Sequence, residues 1–108
     1  MNFNVEDINE KKVIRCSNEK LDTFISSELK SQFLILSKSG NHDFVLDLSK
    51  VKYCDSSGLS ALLVGNRLAK ENDGKLTIFG LNPAVKKIIS ISQLDTILNI
   101  VTNEDNAI

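Results

Sequence analysis

The chain has 108 residues, 42% of them hydrophobic and 25% charged, which is the size and composition of one globular domain with a single core. With 13 lysines and arginines against 14 aspartates and glutamates, its net charge of −1 leaves no basic excess to neutralise phosphates, so nucleic acid is excluded as an expected partner. No apolar run approaches the length of a spanning helix, and the opening MNFNVEDINEKK has neither the basic nor the apolar region of a secretory signal.

FNVEDINEKKVIRC alternates around a polar break and predicts an antiparallel hairpin over residues 3–8 and 12–16. In the next segment Phe24, Ile25, Leu29, Phe33 and Leu36 recur at three- and four-residue steps, which predicts a helix over 24–37 ended by Gly40. Ser26 and Ser27 followed by Glu28 offer an alternative start for that helix a few residues on. DFVLDLSKV is dense in large apolar residues and predicts a central strand over 43–48. From Gly58, the residues Leu59, Leu62, Leu63, Asn66 and Ala69 share one face of a helix that stops before ENDGK. KLTIF predicts a strand over 75–79. Asn82 as N-cap and Pro83 at the first helical position open a third helix, with Val85, Ile88 and Ile89 inward and Lys86 and Lys87 outward. TILNIV predicts a last strand, followed by the polar stretch TNEDNAI.

The predicted order is β-β-α-β-α-β-α-β. Strand–helix–strand repetition implies parallel strands joined by right-handed crossovers, hence an α/β fold with helices packed on a mixed, mostly parallel sheet. One domain spans 1–108: a hairpin over 3–16, a βα core over 21–101 and a polar tail over 102–108. The functional edge of such a sheet lies at the carboxyl ends of its strands. CDSSG falls there, directly after the central strand, and the segment from Leu21 to Thr23, again between strand and helix, shares that edge.

Asp55, Ser56 and Ser57 admit two readings. Each is a good N-cap, since its side-chain oxygen accepts an unpaired first-turn amide, worth about 1 kcal/mol. Capping needs one such residue, and three stand in a row. The same helix start also suits an anion, because its amides point outward and its dipole favours negative charge. A phosphoryl group on a serine here would turn a polar surface strongly anionic without disturbing the core.

Catalysis is poorly served by these residues. A nucleophilic serine needs an adjacent base, and the one histidine, His42, sits in the polar loop SGNHDF. No glycine lies upstream in YCDSSG, so the hydrolase elbow is absent. An aspartyl-phosphate enzyme would want further carboxylates for Mg²⁺ beside its nucleophile; Asp47 has no aspartate two residues on, and a pairing of Asp22 with Asp55 supplies two carboxylates at most. Cys16 and Cys54 lack metal-ligand spacing and read as buried thiols in a reducing cytoplasm. No cofactor is implied.

The run from FVLDLSKVKYCDSSGLSALL through GKLTIFGLNPAVKKIISISQLDTIL resembles the STAS domain, and within it the bacterial anti-sigma-factor antagonists. EKLDTFISSELKSQF is similar to that family's first helix and the loop before it, so the resemblance covers nearly the whole chain. It implies a switch without catalysis: the antagonist binds a serine-kinase anti-sigma factor, is phosphorylated by it and lets go, and a metal-dependent, PPM-type serine phosphatase resets it. Carried onto this chain, the resemblance makes Ser57 the phosphoacceptor, with Asp55, Ser56 and Gly58 forming its loop. It places Asp22 and Thr23 across the same edge, as contacts for a partner or a nucleotide. The family loop often reads G-E-L-D where this chain has NEKLDT, and the stretch TNEDNAI implies a final helix that is short or missing. The resemblance also admits a different class, a STAS docking or assembly subunit of a transport system of the lipid-transport type.

Overall fold

In the computed structural model, which describes residues 2–108, strands β1 (Phe3–Ile8) and β2 (Lys11–Cys16) pair in an antiparallel hairpin. The turn between them is Asn9 and Glu10, both in the left-handed region with φ of 51° and 66°. Two consecutive left-handed residues give a turn whose twist matches that of the flanking strands. The chain continues through a two-residue strand β3 (Lys20–Leu21), helix α1 (Thr23–Lys38), β4 (Asp43–Asp47), a second two-residue strand β5 (Tyr53–Cys54) and helix α2 (Ser56–Glu71). It closes with β6 (Lys75–Phe79), α3 (Pro83–Ile91), a 3-10 turn over Leu94–Thr96, β7 (Asn99–Val101) and a short helix α4 (Glu104–Ala107).

The main sheet has the order β1-β2-β4-β6-β7, parallel except for the hairpin, so the expected α/β architecture is what the chain adopts. Alternation along the strands sends Ile14, Phe44, Leu46, Leu76 and Ile78 to one face. There they meet Ile25, Leu29 and Phe33 of α1, Leu59 and Leu62 of α2, and Val85 and Ile89 of α3. The helix α1–α2 contact is close because Gly65 faces Phe33: a Cβ on Gly65 would stand 2.5 Å from the phenyl ring.

Four details depart from the sequence reading. Leu63 is exposed, because α2 turns Gly58, Ala61 and Gly65 toward its neighbours and so rotates the buried stripe away from Leu63. Phe24, expected in the stripe of α1, is 84% exposed, with the stripe beginning at Ile25. The last strand is shorter than expected, since residues 94–96 form a 3-10 turn and pairing begins at Asn99. Asn82 occupies the cap position of α3 without capping it; its amide instead donates to the carbonyls of Ser49 (3.0 Å) and Val51 (2.6 Å), tying down the loop that leads to β5.

The polar C-terminal stretch folds as α4 against the opposite face of the sheet, where Ala107 packs with Val13, Val45 and Phe79. The register sets Arg15 opposite Asp47, and α4 brings Glu104 to the same point. The Arg15 guanidinium donates to Glu6 Oε1 at 2.7 Å, to Asp47 Oδ2 at 2.9 Å and to both Glu104 oxygens at 2.7 and 3.2 Å. Asp47 also accepts from the backbone N–H and hydroxyl of Ser49 at 2.9 and 2.6 Å.

This network makes stability depend on pH. Burial pushes the Asp47 carboxyl up, but the hydrogen bonds from Ser49 and Arg15 outweigh it and hold the group below its ordinary value. Hydrogen bonding to Arg15 likewise holds Glu104 down. A carboxylate with a depressed folded pKa contributes its stability above the unfolded value and loses it as pH falls through the folded one. The urea midpoint is therefore expected to drop steeply below about pH 4. Arg15→Met is expected to cost about 2 kcal/mol at neutral pH, because Asp47 keeps only its Ser49 donors, and to flatten that acid limb. An acid limb of unchanged slope in the variant would trace the loss to other carboxylates.

Candidate functional site

The two short strands build the site. β3 and β5 run parallel, with Lys20 opposite Tyr53 and Leu21 opposite Cys54, and each strand is followed at once by an aspartate. The amide of Asp55 lies 3.5 Å from the Leu21 carbonyl, so the two exits are held side by side. Each aspartate caps the helix it precedes: Asp22 Oδ1 accepts from Ile25 N at 3.3 Å, and Asp55 Oδ1 accepts from Gly58 N at 3.1 Å. Of the three possible caps in DSSG, the structure uses the first, which leaves Ser56 and Ser57 on the first turn of α2 without that duty. Ser56 is exposed and Ser57 half-buried.

Parallel pairing also juxtaposes the next residues along. Thr23, the first residue of α1, places its Oγ1 at 3.2 Å from Ser57 Oγ, a hydroxyl pair in which either oxygen can donate. The approach depends on Gly58. A Cβ there would lie 2.5 Å from Cys54 Sγ and 2.7 Å from the Leu21 carbonyl oxygen, so α2 rests on the short ladder through a bare backbone. The structure thus brings Asp22, Thr23, Asp55, Ser57 and Gly58 together, with Ser56 alongside.

The N-termini of α1 and α2 come side by side at the Thr23–Ser57 contact, and helix N-termini favour negative charge. Burial, with the Asp55 charge adding to it, pushes the Cys54 thiol up to about 12, so beneath the site it stays protonated at neutral pH and acts as core filling. The rim is apolar. Phe24 and Tyr53, 84% and 52% exposed, flank the hydroxyl pair in sequence on its two sides. Sequence reasoning missed both as surface residues. The available signal was position: Phe24 stands two residues after the cap Asp22, before the buried repeat begins at Ile25, and Tyr53 faces away from the buried Cys54 in a strand of period two.

Other groups with chemical potential lie apart. His42 is exposed before the amino end of β4, at the opposite edge of the sheet, with Nδ1 3.3 Å from the Gly40 carbonyl and Nε2 3.8 Å from Asp43. Asp47 is committed to Arg15 and Ser49. A cavity of about 530 Å³ lies between α3 and β7, lined by Leu81, Ile89, Leu98 and Ile100, and none of the site residues borders it. Among the described residues no cluster of histidine, cysteine or carboxylates could hold a metal ion, and no helix is long and apolar enough to cross a membrane. What the arrangement can do is present a hydroxyl to an incoming phosphoryl group and accommodate the charge that results.

A family model described as "Mlab, STAS domain" matches residues 12–102. The chain is also 32% identical over 98 residues to the anti-sigma F factor antagonist of Paenibacillus polymyxa, covering 89% of this chain and 82% of that protein. It belongs to the STAS domain family of bacterial anti-sigma-factor antagonists. This STAS domain is 26% identical over 101 residues to the anti-sigma-B factor antagonist of Staphylococcus epidermidis, covering 93% and 94% of the two chains. Its fold matches that of SpoIIAA, an anti-sigma factor antagonist solved in its unphosphorylated form, with a TM-score of 0.82, 19% identity and 96% and 90% of the chains covered. SpoIIAA, described as a Bacillus cell fate determinant, is also known in a phosphorylated form, which this STAS domain matches with a TM-score of 0.76, 19% identity and 96% and 93% coverage.

Proposed function

We propose that this STAS domain is an anti-sigma-factor antagonist, a cytoplasmic binding module without catalysis of its own that docks on a serine-kinase anti-sigma factor and is released by phosphorylation of Ser57. The observation that carries the reading is the placement of the Ser57 hydroxyl: on the first turn of α2, relieved of capping by Asp55, beside Thr23, and accessible from the sheet's carboxyl edge. The names of the curated relatives support the partner class. In the transfer, Ser57 Oγ bonds to the γ-phosphorus of the nucleoside triphosphate held by the kinase, and the bond from that phosphorus to the departing nucleoside diphosphate breaks. The hydroxyl proton goes to a base of the kinase, since both carboxylates of the site are engaged in capping. A PPM-type phosphatase hydrolyses the new ester and restores the binding form.

The physics of release is local. The exposed Phe24 and Tyr53 give a partner apolar contact on either side of a polar centre. Phosphorylation places about −1.5 to −2 charges in that centre, between two aspartates, where an apposed surface would have to desolvate them. Asp55 sets the first turn of α2, Gly58 lets it sit close to β3, and Ser56 and Asp22 complete the loop surface.

A second reading, a docking or assembly subunit of a lipid-transport-type system, has one observation on its side, the Mlab description of the matching family model. Phosphopeptide mass spectrometry on the protein isolated from its native cells separates the two. A single phosphoryl group on Ser57 is the expected result. Phosphate on Ser56 would keep the switch and move its acceptor, whereas none under any growth condition would favour the docking subunit.

A further inference from the structure

Resting on the reading of Ser57 as phosphoacceptor, we infer that Thr23 is a positioning residue of the switch, whose hydroxyl turns from Ser57 Oγ to a phosphate oxygen and holds the phosphoserine between the starts of α1 and α2. Thr23 Oγ1 stands 3.2 Å from Ser57 Oγ, and a phosphate oxygen lies one P–O bond beyond the phosphorus attached to that same atom. A hydroxyl already within hydrogen-bond distance of the ester oxygen therefore needs only a rotation to reach the phosphate.

The chemistry of the neighbours gives this hydroxyl its weight. Asp22 and Asp55, the carboxylates at the two helix starts, are committed to the amides of Ile25 and Gly58, and Ser56 stands exposed beside Ser57 on α2 itself. Ionised carboxylates accept hydrogen bonds and cannot donate one, and both oppose a nearby dianion. Thr23 is the side-chain donor that α1 contributes to the acceptor oxygen, and charge-assisted bonds of this kind are about twice as strong as neutral ones. Before transfer, the same contact gives the Ser57 hydroxyl a partner on α1. Its origin is tertiary: Thr23 and Ser57 are 34 positions apart and meet because β3 pairs with β5.

The charged groups next to the two helix starts in the chain are Asp22 before α1, Asp55 before α2, Lys20 on β3, and Lys52 ahead of β5, whose ammonium lies 3.6 Å from Glu19. All are common to the variants below, so a difference between variants reports on the hydroxyl. The test incorporates phosphoserine at position 57 during synthesis of the full chain and titrates it by phosphorus NMR, with no kinase needed. A donor favours the dianion, so Thr23→Val is expected to raise the second phosphate pKa by about half a unit, and Thr23→Ser to restore the original value. Thr23→Ala serves as a second deletion of the hydroxyl, and circular dichroism checks that each variant is folded. Identical titrations in Thr23, Thr23→Val and Thr23→Ala proteins would overturn the inference. Failure of the underlying reading looks different: no phosphate on Ser57 in native cells, whatever the titration shows.

Discussion

On the proposed switch, Ser57→Asp is expected to weaken binding to a serine-kinase anti-sigma factor by about tenfold or more, while Ser57→Ala binds like the unmodified protein and takes no phosphate. The asymmetry follows from where the side chain sits. Alanine on the first turn of α2 removes a hydroxyl whose polar partner is the exposed Thr23, and Asp55 still caps the helix, so the fold and the exposed Phe24 and Tyr53 remain. Aspartate places one negative charge at the site, beside the two capping carboxylates. It carries roughly half the charge of a phosphate and fewer acceptor oxygens, so its effect should fall short of full phosphorylation. Isothermal titration of the three proteins against the purified kinase partner gives the comparison. Equal affinity for the aspartate variant and wild type would sink the repulsion account of release.

The second large effect is expected at Gly58. Gly58→Ala should destabilise the domain by roughly 3 kcal/mol, although alanine is ordinarily the better helix residue by about 1 kcal/mol. The added methyl would lie 2.5 Å from Cys54 Sγ and 2.7 Å from the Leu21 carbonyl oxygen, and the second obstacle is backbone that cannot rotate away. Relief requires α2 to move off the β3–β5 ladder, which also separates Ser57 from Thr23. Urea denaturation should show the loss. The double variant Gly58→Ala with Cys54→Ala should recover part of it, because the sulfur is removed while the carbonyl stays. A single variant as stable as wild type would mean that α2 does not rest on the ladder as closely as the structure shows.

Much of the fold was legible because its signals are local. The hairpin strands, β4, β6 and the three long helices each carry a period of two or 3.6 that a short window reveals, and the alternation of strand and helix dictates parallel order. The misreadings share one cause. Phe24 and Leu63 fit a helical period, yet which way a helix faces is settled by its neighbours, and here the small residues Gly58, Ala61 and Gly65 set the close contact that hydrophobicity does not register. Asn82 has the chemistry of a cap and the position of one, but two carbonyls of the β4–β5 loop claim its amide. The polar stretch TNEDNAI has no apolar period to announce a helix; α4 is held by one buried alanine, packed on Val13, Val45 and Phe79, and by Glu104 on Arg15, 89 positions away.

The same division runs through the site. The residues after the central strand declared a helix start with spare hydroxyls, and the family resemblance singled out Ser57 among them. That much the sequence determined by itself, since capping chemistry and motif both reside within a few consecutive residues. Only the tertiary structure decided that Asp55 is the cap in use, that Tyr53 and Phe24 are exposed, and that Thr23 meets Ser57. Strands of two residues have too few positions to show a period, and their partner is chosen by long-range pairing whose geometry exists only once α1 and α2 have packed on the sheet.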